Sequence, residues 1–238
     1  YGNKYLDGYL NSDLSGTGWG KKWDYIIVHE SGHEWFGNNI TTKDIADMWV
    51  HEGFTMYSEA LFIEYYYGKK AADEYVAGLR SNINNDIPLI GLYGINREGS
   101  GDMYNKGANM IHTIRQIINN DSLFREILRG LNKQFYHTTT TSKEVETYIS
   151  KQAGKDFSKI FEQYLRTTQI PELIIKGNKN SISYHWENCI KGFDMPVRLN
   201  NGQWICPSEK TKSVKLTSGD FDSILPDNNF YIRVQKIK

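Results

Sequence analysis

Long apolar runs are missing from this sequence of 238 residues, and so is any surplus of charge. No stretch approaches the eighteen or so consecutive apolar residues of a membrane-spanning helix, so a soluble chain is expected. Twenty-eight Lys and Arg balance 28 Asp and Glu. That balance gives no reason to expect nucleic acid or an anionic membrane as partner. Cysteine is scarce, with only Cys189 and Cys206. They read as two small buried thiols, although an oxidising compartment would let them pair, and no compartment follows from them. No basic-then-apolar leader precedes Tyr1, so a signal peptide is either absent or already removed. The opening, YGNKYLDGYLNSDLSGTGWGKK, reads as loop cut from something longer.

What is abundant is aromatic: 13% of residues, with 16 Tyr and 6 Trp, the composition of a packed protein rather than a disordered one. The length suffices for one large domain or two ordinary ones.

The richest stretch runs from His29 to Glu52, HESGHEWFGNNITTKDIADMWVHE. His29 and His33 are four apart, so on a helix they lie about 40° from each other and face one point. Glu30 sits about 100° round from His29, badly placed to join the same ligand set but able to touch a water held there. This is the H-E-x-x-H arrangement, in which two histidines bind zinc and the glutamate is the general base. Catalytic zinc takes a third protein ligand, and Glu52 is the candidate. A surface helix with two solvated histidines is the plainer alternative. Against it, the apolar run Tyr25-Ile26-Ile27-Val28 leads into the motif and Trp35-Phe36 follows it. A buried helix would carry such polar groups at a cost unless they had a task.

The stretches HESGHEWFGN and MWVHEGFTMYSE resemble the M1 family of zinc aminopeptidases, the gluzincins that include aminopeptidase N and leukotriene A4 hydrolase. The likeness lies in the eighteen residues between His33 and Glu52, followed by Gly53, Phe54, Tyr57 and Glu59. His51 departs from it, standing where the family commonly has Asn. A second likeness is MYNKGANMIHTIR, whose Tyr104 matches the tyrosine that donates to the oxyanion in that family. By itself a tyrosine near a helix start is equally a packing residue. Metal histidines also need outer partners, and Asp47 and Glu59 are the candidates, each equally readable as a solvated acid. His112 reads as structural, and His137 and His185 carry no motif. Asn39-Ile40-Thr41 and Asn120-Asp121-Ser122 match the common glycosylation pattern.

Along the chain, helices are expected over residues 21–36 (the metal helix), 44–67, 71–82, 103–118 with Asp102 as cap, 121–136, 142–153 and 156–167. A loop over residues 87–101 could border a substrate groove. Beyond Pro171, short alternating runs predict a β-sandwich of about seven strands. The fold class is therefore α+β: a mainly helical, thermolysin-like catalytic part over residues 1–170, N-terminally truncated, and a small β-sandwich over 171–238. The resemblance implies a zinc-dependent aminopeptidase cutting the N-terminal residue from a peptide substrate, with Zn2+ on His29, His33 and Glu52, Glu30 as base and Tyr104 at the oxyanion. It also implies partners in the N-terminal domains of the same protein, because the G-x-M-E-N strand that grips the substrate amine has no counterpart here. The competing expectation is a zinc-stabilised structural or binding fragment without exopeptidase activity of its own.

Overall fold

The computed structural model describes residues 3–178 and 180–237. Tyr1 and Gly2 of the expected opening loop, Lys179 in the turn region, and Lys238 at the end of the last expected strand lie outside them.

Among the described residues seven α-helices come first: α1 Tyr25–Gly32, α2 Trp49–Tyr67, α3 Lys69–Gly78, α4 Asn105–Ile118, α5 Asp121–Gln134, α6 Ser142–Ala153 and α7 Ser158–Arg166. Two short strands, β1 Ile40–Thr42 and β2 Thr138–Thr140, pair in parallel among them. In the C-terminal part, β3 Glu172–Asn178, β4 Ser181–Glu187, β7 Lys212–Lys215 and β8 Arg233–Ile237 form one sheet in the order β7-β4-β3-β8. β5 Val197–Arg198 and β6 Trp204–Ile205 make a separate antiparallel ribbon. The architecture is α+β. About seven strands are expected here, and six are formed among the described residues. Among the described residues, no helix is long and apolar enough to cross a membrane.

Each helix has a local reason. Asp24 caps α1, its carboxylate accepting from the Ile26 and Ile27 N–H groups, which leaves fewer of the first-turn donors unpaired. α1 is shorter at both ends than the expected 21–36, because the cap falls at Asp24 and the last helical residue is Gly32. Asp44 caps a 3₁₀ turn, Ile45–Asp47, rather than α2 itself. Gly68, at φ 91°, ends α2. Asp102 does not cap α4. It sits inside a 3₁₀ turn capped by Ser100 and accepts from the backbone of Asn84 and Asn85.

α4 is the axis of the helical part: from Lys106 to Ile118 every residue is buried. α2 lies against it, burying Trp49, Phe54, Tyr57 and Ile63, and each fully buried side chain of this size contributes about 1.5–3 kcal/mol from burial. In β4 the period-two pattern is clean, with Ile182, Tyr184 and Trp186 buried and their neighbours partly exposed. The turn before β8 is tied to the helices: Arg80 donates to the Asn228 carbonyl, and the Tyr231 N–H donates to Thr113 Oγ1. Cys189 is half-buried and Cys206 exposed, both free, so the expectation of two buried thiols is corrected. Cys189 follows β4 and packs partly against the core, whereas Cys206 follows β6 at the surface.

Candidate metal centre

His29 and His33 come from α1 and its C-cap, and Glu52 from the first turn of α2. Their ligand atoms all lie within 4.8 Å of one another. Glu52 Oε2 is 3.4 Å from His29 Nε2 and 3.4 Å from His33 Nε2. The two imidazoles meet edge to face, with centroids 5.0 Å apart. Each ring is fixed through its other nitrogen. His29 Nδ1 lies 2.7 Å from Glu59 Oε1, and His33 Nδ1 lies 3.0 Å from the Phe36 carbonyl. Both of those partners accept, so Nδ1 carries a proton and each Nε2 faces Glu52.

Glu59 is completely buried and is also held by Tyr75, whose hydroxyl donates to Oε2 at 2.6 Å. Of the two expected outer acids, then, Glu59 reaches His29, one of the candidate ligands. Asp47 does not: it accepts from Tyr93 at 2.6 Å and from the Ser142 N–H at 3.0 Å. The 3₁₀ turn Ile45–Asp47 breaks the helical count back from Glu52 and turns this acid away.

Tyr104 ends the 3₁₀ turn Gly101–Met103 and opens α4. Its ring stacks on His29 with centroids 5.8 Å apart. Gly53 and Gly107 bring the two helices close enough for this, since a methyl built on Gly107 would come within 3.0 Å of Gly53 Cα. Burial, then the charge of Glu52, push the Tyr104 phenol up to about 12. It therefore stays protonated near neutrality and can donate. Glu98 and Glu30 add to that effect. Glu30 itself is exposed.

The charges of the cluster support one another. Burial would lower His29, but the carboxylates of Glu52 and Glu59 outweigh it and raise it to about 9. Burial would raise Glu52, and the two imidazoles instead bring it to about 2. Glu52 Oε2 is nevertheless buried without a hydrogen bond, at a separation from each Nε2 that is long for a good one. Three donor atoms of imidazole and carboxylate type, converging and unbonded to each other, suit a divalent ion of the zinc kind.

Other residues fall outside. His112 is buried among Tyr57 and Asn229, 3.1 Å from each, and is structural as expected. His137 is exposed, and His185 pairs with Glu187 at 3.0 Å. His51 Nε2 accepts from the Thr42 N–H, tying β1 to the turn that carries Glu52. In the two glycosylation patterns, the Asn39 amide donates to Asn132 and the Asn120 side chain caps α5. Tyr25 and Tyr75 were not singled out by the sequence. Tyr25 lies in what reads as an apolar lead-in, and Tyr75 reaches Glu59 from α3, a separate element with no motif.

Two histidines one turn apart with a glutamate from the following helix, in a helical domain, is the gluzincin class of arrangement. Residues 10–88 match the Peptidase family M1 domain. The alanine/arginine aminopeptidase of Saccharomyces cerevisiae is 24% identical over 169 residues, 66% of this chain and 20% of the relative. Human endoplasmic reticulum aminopeptidase 1 is 27% identical over 184 residues, 73% of this chain and 18% of the relative. Among solved structures, Legionella pneumophila aminopeptidase A, in complex with aspartic acid, has a TM-score of 0.58 at 16% identity, covering 90% of this chain and 27% of that one. An M1 zinc metallopeptidase mutant from Deinococcus radiodurans, bound to a Tyr-Ser-Ala substrate, has a TM-score of 0.52 at 23% identity, covering 61% and 33%. The chain is thus similar, over part of its length, to aminopeptidases of peptidase family M1. It spans about a fifth of the length of these curated relatives.

Proposed function

We propose that this chain carries the metal site of a zinc-dependent aminopeptidase, with residues 1–170 as catalytic part and 171–238 as an accessory β domain. Its substrate would be the N-terminal residue of a peptide, and further domains of the same protein would complete the substrate grip. The observation that carries this reading is Glu52 Oε2, buried, unbonded and 3.4 Å from both imidazole nitrogens. His29, His33 and Glu52 would hold the ion. When bound, zinc supplies Lewis acidity, bringing the pKa of a water towards about 7 and polarising a carbonyl.

The remaining work falls to side chains of this chain. Glu59 holds the His29 ring so that Nε2 faces the site. Glu30 takes the proton from the attacking water and returns it to the leaving amine, so the proton count closes over the cycle. Tyr104, kept protonated by its surroundings, donates to the carbonyl oxygen as negative charge builds there. That bond strengthens in the transition state and so lowers the barrier.

The experiment is Glu30→Gln in the full-length protein. Bound zinc should remain at the wild-type ratio while kcat on aminoacyl substrates falls by roughly a hundred- to ten-thousand-fold, the usual worth of a general base. Loss of zinc in that variant would mean that Glu30 is a ligand and that the roles are wrongly assigned.

A further inference from the structure

Tyr25 is the first residue of α1 and precedes His29 by one helical turn. Its ring lies nearly parallel to the His29 imidazole, with an interplanar angle of 17° and centroids 5.5 Å apart. The Tyr25 ring is in turn held edge-on by Tyr9, at 5.6 Å, and tilted against Trp23, at 5.9 Å. Its hydroxyl reaches Met56 Sδ at 3.5 Å on α2. Burial and the neighbouring Glu59 carboxylate hold that phenol above its ordinary range. Tyr25 thus meets His29 by two routes, through the ring face and beside the acid that accepts from Nδ1.

An imidazole on a broad, roughly two-fold terminal torsion is not fixed by one hydrogen bond alone. The Glu59 contact sets the direction of Nδ1, whereas a flat ring against the face limits rotation out of that plane. We infer that Tyr25 is a positioning residue for the metal site, its ring fixing the plane of His29 while Glu59 fixes its direction. This rests on the zinc reading of His29, His33 and Glu52.

The test is zinc affinity, measured on the 238-residue chain by competition with a chromophoric chelator, with cobalt(II) spectra as a second readout of ligand geometry. Tyr25→Leu, which removes the flat ring, should weaken zinc binding about 10- to 100-fold, as loss of a group supporting a metal ligand does, and should change the cobalt spectrum. Tyr25→Phe, which keeps the ring, should restore most of both. Failure of the wild-type chain to bind zinc would defeat the proposed function itself. Zinc binding by wild type with equal affinity and an equal cobalt spectrum in Tyr25→Leu would overturn the role of Tyr25 alone. If Tyr25→Leu lacks native helical circular dichroism, Tyr25→Met carries the same comparison. Loss of the fold in both would make Tyr25 a folding residue and overturn the inference.

Discussion

Gly53 and Gly107 pack backbone against backbone where α2 crosses α4: a Cβ on Gly53 would stand 3.2 Å from the Met103 carbonyl oxygen and 3.3 Å from Gly107 Cα. The crossing lies one residue after Glu52 and three after Tyr104, so the spacing of the two helices sets the spacing of these two side chains, the proposed third ligand and oxyanion donor. Gly107→Ala would gain about 1 kcal/mol of helix propensity but crowd the contact, a cost of about 1–3 kcal/mol. A small net change in urea stability is expected, with a larger fall in kcat, because a shift of about 1 Å in a catalytic group can cost a hundredfold. Unchanged kcat would show that the helix spacing has slack.

Tyr104→Phe removes the donor and leaves the ring stacked on His29. Zinc content and KM should hold, while kcat falls by about 10²- to 10³-fold, as when one oxyanion donor is deleted. Steady-state kinetics on the zinc-loaded protein would check this. An effect on KM alone would place the phenol in ground-state binding.

Acid stability tests the buried network around His112. Burial brings this imidazole down from 6.5 to about 3, consistent with a neutral ring that accepts from Tyr57 and donates to Asn229. Below about pH 6.5 the unfolded chain takes up a proton that the native state refuses. Stability from this group is therefore full above 6.5 and lost as pH falls toward 3, with a slope of up to about 1.4 kcal/mol per pH unit. Urea unfolding of zinc-free chain between pH 7.5 and 5 should show a shallower slope for His112→Gln than for wild type. Equal slopes would mean that His112 protonates in the folded protein.

The convergence of His29, His33 and Glu52 was legible because it rests on local periodicity: His29 and His33 share a helix face whatever surrounds them, and Glu52 follows at a readable distance. Glu59 was legible only as one of two acids. Asp47 looked equivalent until the 3₁₀ turn before α2 redirected it to Tyr93 and Ser142. The support from Tyr75 and the parallel pairing of Ile40–Thr42 with Thr138–Thr140 are contacts between distant segments. No spacing along the chain announces such contacts. The Tyr25 stack is local, yet an aromatic in an apolar run before a motif reads as core. The C-terminal strands were recognisable from their alternation, while their order, with β8 parallel to β3, depends on pairing that only the folded chain reveals.

The central claim is that His29, His33 and Glu52 hold one zinc ion. X-ray absorption at the zinc edge, on chain loaded and then freed of excess metal, tests it most directly. The account predicts one zinc per chain, with imidazole nitrogen and carboxylate oxygen ligands at about 2.0–2.2 Å, and loss of the bound metal in His33→Ala. No retained zinc in a folded chain, or a sulfur shell at about 2.3 Å drawn from Cys189 and Cys206, would contradict it.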